Sequence, residues 1–106
     1  MAEKQLPQNY VRFRSRYKHL AGAIDALGQA ARDEGPLDDK SAQLIQLAAA
    51  ASSRSEGAVH SHARRARDAG ASDDEIRHAL LLLVSTIGFP AVMAALSWVD
   101  DVLENA

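Results

Sequence analysis

The chain of 106 residues contains no cysteine. Disulfide bonds, zinc thiolates, iron–sulfur clusters and thiol nucleophiles are therefore excluded, and this composition suits a cytoplasmic protein. Aromatic residues make up only 5% of the chain, whereas 21 residues are alanine. Alanine lets helices pack closely but supplies little buried area per residue. We therefore expect contacts between subunits to complete the core.

A strong charge of either sign is also lacking. The formal net charge is −2, which gives no general attraction to nucleic acid. The basic residues near the N-terminus alternate along the sequence, so on a helix they would spread around it. We therefore expect no nucleic-acid partner.

One long uncharged stretch, Ala79 to Val99, covers 21 residues and has the length of a membrane span. Its middle is interrupted by Gly88 and Pro90, and the next residues are Asp100 and Asp101 rather than lysine or arginine. We expect two buried helices here and no membrane partner.

Apolar residues recur at three- and four-residue spacing in five segments, and no segment alternates as a strand does. The sequence predicts an all-α fold of about five helices, with a flexible arm over residues 1–9 and a single domain over 10–106. The first helix is predicted from about Tyr10 to Glu34, and the fifth begins at about Pro90. The others begin near Asp38 or Asp39, either of which can cap a helix, after Ser53 and after Ser72.

Two capping boxes are predicted, one from Ser53 to Glu56 and one from Ser72 to Glu75. The aromatic side chains of the first helix share one face and are interpreted as core; they are Tyr10, Phe13 and Tyr17. The fourth helix is apolar nearly all round, which indicates a central helix or an interface.

The densest group of reactive side chains lies on the third helix and contains Glu56, His60, His62, Arg64, Arg65 and Arg67. Glu56 is either a helix-capping residue or a general acid or base. His62 shares the apolar stripe of the helix, where it is either a hydrogen-bonded core residue or a partly buried base. Arg64, Arg65 and Arg67 form a solvated face, or one of them binds a carboxylate substrate.

His60 and His62 point about 200° apart on a helix and cannot chelate one metal ion together. Glu56 and His60 are four residues apart and share a face. They predict either a solvated ion pair or two ligands of a site that another subunit completes. Two ligands are too few for zinc, so we expect no metal and no other cofactor.

The order of several short blocks resembles the carboxymuconolactone decarboxylase family, which is related to the alkylhydroperoxidase D-like proteins. The blocks are Leu37-Asp38-Asp39-Lys40, Leu44-Ile45, Ser55–Ala66, Gly70-Ala71-Ser72, Glu75-Ile76 and Gly88-Phe89-Pro90-Ala91. The resemblance covers about residues 10–104. It implies an alkylhydroperoxidase D-like helical bundle that assembles as a homo-trimer or homo-hexamer.

The peroxidase branch of this family uses a Cys-x-x-Cys pair, a histidine and an upstream glutamate. The resemblance places the cysteines at Ser55 and Ala58, the histidine at His62 and the glutamate at Gln43. Only the histidine is retained, so thiol peroxidase activity is not expected. The decarboxylase branch works without the cysteine pair and resembles this chain in the spacing of Glu56 and His62.

The first hypothesis is therefore a decarboxylase-like lyase that acts on a small anionic carboxylate or lactone. Glu56 and His62 would do acid–base work, and His60 with Arg64 or Arg65 would orient the substrate. The alternative is a non-catalytic oligomeric binding or assembly module on the same scaffold. A third hypothesis is a metal-dependent enzyme that uses Glu56 and His60 across an interface.

Overall fold

The computed structural model describes residues 6–104, and these residues form helices joined by turns, with no strand among them. The helices are α1 (Gln8–Arg16), α2 (Lys18–Asp33), α3 (Asp39–Ser52), α4 (Glu56–Asp68), α5 (Asp73–Leu81), α6 (Val84–Ile87) and α7 (Phe89–Leu103). The predicted all-α fold is confirmed. Two of the five predicted helices are each interrupted, which gives seven. The predicted arm lies partly outside the described residues, and α1 already begins at Gln8.

The chain divides into two compact units, Met1–Leu37 and Asp38–Ala106. In the first unit the predicted continuous helix is broken at Tyr17, whose φ of −123° and ψ of 62° are not helical. Apolar spacing cannot reveal this break because the three- and four-residue pattern continues across it. Arg14 in α1 donates to Asp25 in α2 at 3.0 Å, a contact between the two helices. This ion pair raises the pKa of the Arg14 guanidinium.

Two of the three aromatic side chains on the aromatic face of the first unit are exposed, whereas Phe13 is half-buried. Tyr17 is 56% exposed and Tyr10 is 38% exposed, so their interpretation as core residues is wrong for the single chain. Leu20, Ile24 and Leu27 continue this face along α2 and are also exposed. A three- and four-residue repeat shows which side chains share a face, but it does not show what covers that face.

The second unit has a core to which α3, α4, α5 and α7 all contribute. Small residues dominate it, so the helices approach closely, and a few larger side chains fill the centre. The buried core residues are Leu47, Ala50, Ala51, Val59, Ala63, Ala66, Ala71, Ile76, Leu80, Ala95, Val99 and Leu103. No described helix is long and apolar enough to cross a membrane. The uncharged stretch from 79 to 99 is instead divided among α5, α6 and α7.

Side chains cap the starts of α3, α4 and α5, and one of the predicted caps needs correction. The Asp38 carboxylate accepts from the Ser41 backbone N–H at 2.7 Å, and Ser72 with Glu75 forms the predicted capping box. The predicted box at Ser53 is wrong, because Ser53 ends α3 and its hydroxyl donates to the carbonyl of Ala49. Arg54 then turns the chain with a φ of 56°, and Ser55 caps α4.

Candidate functional site

The sequence-predicted residues of α4 fall into two separate groups. One group is His62 with Gln43 of α3, and the other is Glu56 and His60 with Asp101 of α7. This separation follows from helix geometry, since residues two apart point to different sides. The structure therefore brings Glu56 and His60 together and gives His62 different surroundings.

His62 lies on the side of α4 that faces the core, and its ring is half-buried. Its stripe includes the fully buried Val59 and Ala63, as the spacing predicts. The Nδ1 atom of His62 lies 2.8 Å from Oε1 of Gln43. Gln43 is only 3% exposed and belongs to the buried face of α3 together with Leu47. The imidazole is thus held by a buried neutral amide.

Gln43 was not among the site residues that the sequence predicted. Its signal was present, because the resemblance aligns Gln43 with the upstream glutamate of the peroxidase branch. The structure shows that this position still contacts the histidine, now through an amide. The amide oxygen accepts the hydrogen bond from the ring but carries no negative charge.

The two positions aligned with the cysteines of the peroxidase branch have a structural role in this chain. Ser55 is the N-cap of α4, and its hydroxyl accepts from the Ala58 backbone N–H at 3.4 Å. Glu56 is the first residue of the helix, where its negative charge is favourable. In this chain the helix start is therefore capped by a serine side chain, at the positions where the peroxidase branch has its two cysteines.

The second group brings three potential ligands to one point. The Nε2 atom of His60 lies 3.0 Å from Oδ2 of Asp101 and 4.0 Å from Oε2 of Glu56. The three ligand atoms all lie within 4.8 Å of one another. The His60 side chain is 20% exposed, whereas both carboxylates are more than half exposed. We refer to these three residues as the His60 cluster.

Asp101 could not be found from the sequence, because it lies 41 residues after His60 and belongs to no local motif. The packing of α4 against α7 brings it to the cluster. Val59 and Ala63 of α4 and Val99 of α7 are fully buried in the shared core. This core fixes the two helices that carry the cluster.

An open pocket of about 760 Å³ lies beside α5 and α7. Its wall combines apolar side chains with three carboxylates and one guanidinium. The lining residues are Arg77, Leu81, Met93, Leu96, Ser97, Asp100, Asp101 and Glu104. Arg77 donates to Asp100 at 3.0 Å, and this hydrogen bond raises the pKa of the guanidinium. The charged groups of the wall therefore leave an excess of negative charge.

Arg64 and Arg65 lie on different sides of α4. Arg64 follows His60 by four residues, whereas Arg65 follows His62 by three and is its neighbour on the helix surface. Arg64 is half-buried and Arg65 is exposed. Within residues 6–104 neither of them forms an ion pair. Arg65 is therefore the guanidinium on the same side of the helix as His62.

Comparisons with known proteins agree with this fold. A solved structure of a carboxymuconolactone decarboxylase family protein from Legionella pneumophila is similar, with a TM-score of 0.77 and 27% sequence identity. The match covers 91% of this chain and 86% of that chain. No curated protein matches the sequence. The family model of the carboxymuconolactone decarboxylases matches residues 18–101, and the chain belongs to this family.

Proposed function

We propose that this protein is a carboxymuconolactone decarboxylase-like enzyme in which His62 carries protons to and from a small carboxylate or lactone substrate. The contact between His62 and the buried amide of Gln43 supports this proposal best. A half-buried imidazole held by a second side chain has the fixed orientation that acid–base catalysis needs.

The hydrogen-bond chemistry assigns different tasks to the two ring nitrogens. The amide oxygen of Gln43 can only accept, so the Nδ1 atom of His62 carries a hydrogen. This N–H is present in both the neutral and the protonated ring. Proton uptake and release therefore occur at Nε2, and the contact with Gln43 persists through both states.

Arg65 is assigned to the substrate carboxylate because it neighbours His62 on the helix surface and has a planar fork that suits carboxylates. In a decarboxylation the bond between the carboxylate carbon and its neighbour breaks and carbon dioxide leaves. The electron pair stays on the substrate as an enolate, which a cationic group stabilises. Protonated His62 then gives its Nε2 hydrogen to the substrate carbon.

Glu56, His60 and Arg64 were also hypothesised to act on the substrate. Glu56 and His60 lie next to Asp101. The proposed reaction uses His62 for proton transfer and Arg65 for the substrate carboxylate, and the roles of Glu56, His60 and Arg64 on the substrate stay predictions.

The alternative proposal is a non-catalytic binding or assembly module. It is supported by the side-chain cap at Ser55 and Ala58, where the peroxidase branch has its reactive pair. In this alternative the Gln43 contact serves packing alone. The two proposals differ in whether substrate turnover depends on the proton at Nε2 of His62.

We further propose that the protein is a homo-oligomer, a trimer or a hexamer. Apart from Ile45 of α3, the exposed large apolar side chains described in the second unit lie close in sequence at the end of α5, in α6 and at the start of α7. They are Leu81, Leu82, Val84, Phe89 and Met93. A second copy of the chain would remove this apolar surface from water.

The test is turnover of a panel of carboxylated lactones, followed by carbon dioxide release, for the native chain, His62→Gln and His78→Gln. We expect His62→Gln to lose at least about 100-fold in rate, the usual contribution of general acid–base catalysis. His78 is an exposed histidine of α5 and serves as the control. Full activity of His62→Gln would rule out His62 as proton carrier. Saturable binding of these lactones without turnover by the native chain would favour the alternative.

A further inference from the structure

We propose that the His60 cluster is a binding site for one divalent first-row transition-metal ion, formed within a single chain by Glu56, His60 and Asp101. The inference is independent of the role proposed for His62. The sequence supplied only two possible ligands, and the fold supplies the third from α7.

The donor set is suited to such an ion. One imidazole nitrogen and two carboxylate oxygens are common ligands of zinc and its neighbours in the periodic table. The remaining coordination position would be occupied by water or by another ligand, as in catalytic zinc sites with three protein ligands. No thiolate is needed, so the lack of cysteine does not disfavour the site.

The distances between the ligand atoms also fit. In a tetrahedral site with bonds of about 2.0–2.1 Å, two ligand atoms are about 3.3 Å apart. Here Nε2 of His60 is 3.0 Å from the Asp101 oxygen and 4.0 Å from the Glu56 oxygen. All three ligand atoms lie within 4.8 Å of one another, so movements of up to about 1.5 Å, made by rotation of the two exposed carboxylates, would bring them to one ion.

The surrounding charge favours a cation. Asp101 also lines the open pocket, where Asp100 and Glu104 add two further carboxylates and Arg77 is paired with Asp100. A bound ion would therefore lie at the edge of an acidic pocket, whose negative potential raises the local concentration of cations. The same potential disfavours a free anionic substrate in that pocket when no metal is bound.

Metal binding is measured by isothermal titration of Zn²⁺ into the full chain, prepared without a polyhistidine tag and stripped with a chelator. Titration with Co²⁺ gives a second signal, because its visible absorption reports the coordination geometry. We expect one Zn²⁺ per chain and a tetrahedral cobalt spectrum. His60→Ala and Asp101→Asn should each weaken binding at least tenfold.

The matched controls are His78→Ala and Asp74→Asn, which remove an exposed imidazole and an exposed carboxylate from α5. We expect both to bind Zn²⁺ like the native chain, and His62→Gln to do the same. Unchanged affinity in His60→Ala, or equal losses in His60→Ala and His78→Ala, would overturn the proposal in favour of adventitious surface binding. Circular dichroism of every variant checks that the helices are intact. Zn²⁺ should raise the melting temperature of the native chain but not that of His60→Ala.

Discussion

The Oε1 atom of Gln43 lies 2.8 Å from the Nδ1 atom of His62, and this contact joins α3 to α4. A buried amide holds the ring at the position where the peroxidase branch of the family combines a histidine with a glutamate. The exchange of a carboxylate for an amide keeps the hydrogen bond and removes the charge. The protonated ring therefore receives no ionic stabilisation from this neighbour.

Restoring the carboxylate with Gln43→Glu should shift the titration of the His62 ring to higher pH. An adjacent negative charge favours the protonated imidazole, whereas a neutral amide does not. Gln43→Met, which removes the acceptor but keeps the volume, should not cause this upward shift. The measurement is an NMR titration of the histidine ring protons, with exposed His78 as the internal reference. An unchanged His62 titration in Gln43→Glu would contradict the contact.

The capping box of α5 should contribute to the acid sensitivity of the protein. The pKa of the Glu75 carboxyl is lowered below its ordinary value of 4.5, chiefly by the hydrogen bond from the Ser72 backbone N–H and secondly by the hydrogen bond from Lys40. A lowered pKa in the folded chain means that this stabilisation is present above about pH 4.5 and is lost as the pH falls further.

Glu75→Gln should therefore unfold more easily than the native chain at pH 7, and the difference should shrink at pH 3. The measurement is urea denaturation at both values, followed by circular dichroism. Asp74→Asn is the control, because Asp74 is also acidic and lies in the first turn of α5. A native-to-variant difference that is as large at pH 3 as at pH 7 would contradict the prediction.

The core of the second unit should be sensitive to truncation at Leu47. This side chain is fully buried among α3, α4, α5 and α7, so Leu47→Ala should cost about 2–5 kcal/mol of unfolding free energy. Ile45 lies in the same helix and is 55% exposed, so Ile45→Ala should cost much less. Urea denaturation at pH 7 compares the two variants. Equal losses of unfolding free energy in the two variants would contradict the difference in burial between Leu47 and Ile45.

The exposed apolar side chains at the α5–α7 end of the second unit should govern assembly. Leu82 is 63% exposed, and Leu82→Glu should lower the mass of the particle towards that of a single chain. Light scattering after size-exclusion chromatography measures this mass. Ser52→Glu places the same charge at an exposed polar position of α3 and should leave the mass unchanged. An unchanged mass in Leu82→Glu would exclude this surface from the interface.

The sequence by itself determined the helical character of the chain and several helix ends. Ser72 with Glu75, Asp38 and Pro90 mark helix starts through chemistry that acts within three residues, which is why their positions could be predicted. The buried stripe of α4 followed from spacing in the same way. The absence of cysteine excludes thiol chemistry through composition alone.

Only the tertiary structure decided which side chains meet. The contacts of His62 with Gln43 and of His60 with Asp101 join residues 19 and 41 positions apart, and helix packing alone brings them together. The break at Tyr17 was likewise invisible, because the apolar repeat continues across it while α1 and α2 are joined by the Arg14–Asp25 pair. Local sequence fixes periodicity and caps, since these depend on neighbours along the helix. The composition of a site depends on long-range packing, which local patterns do not encode.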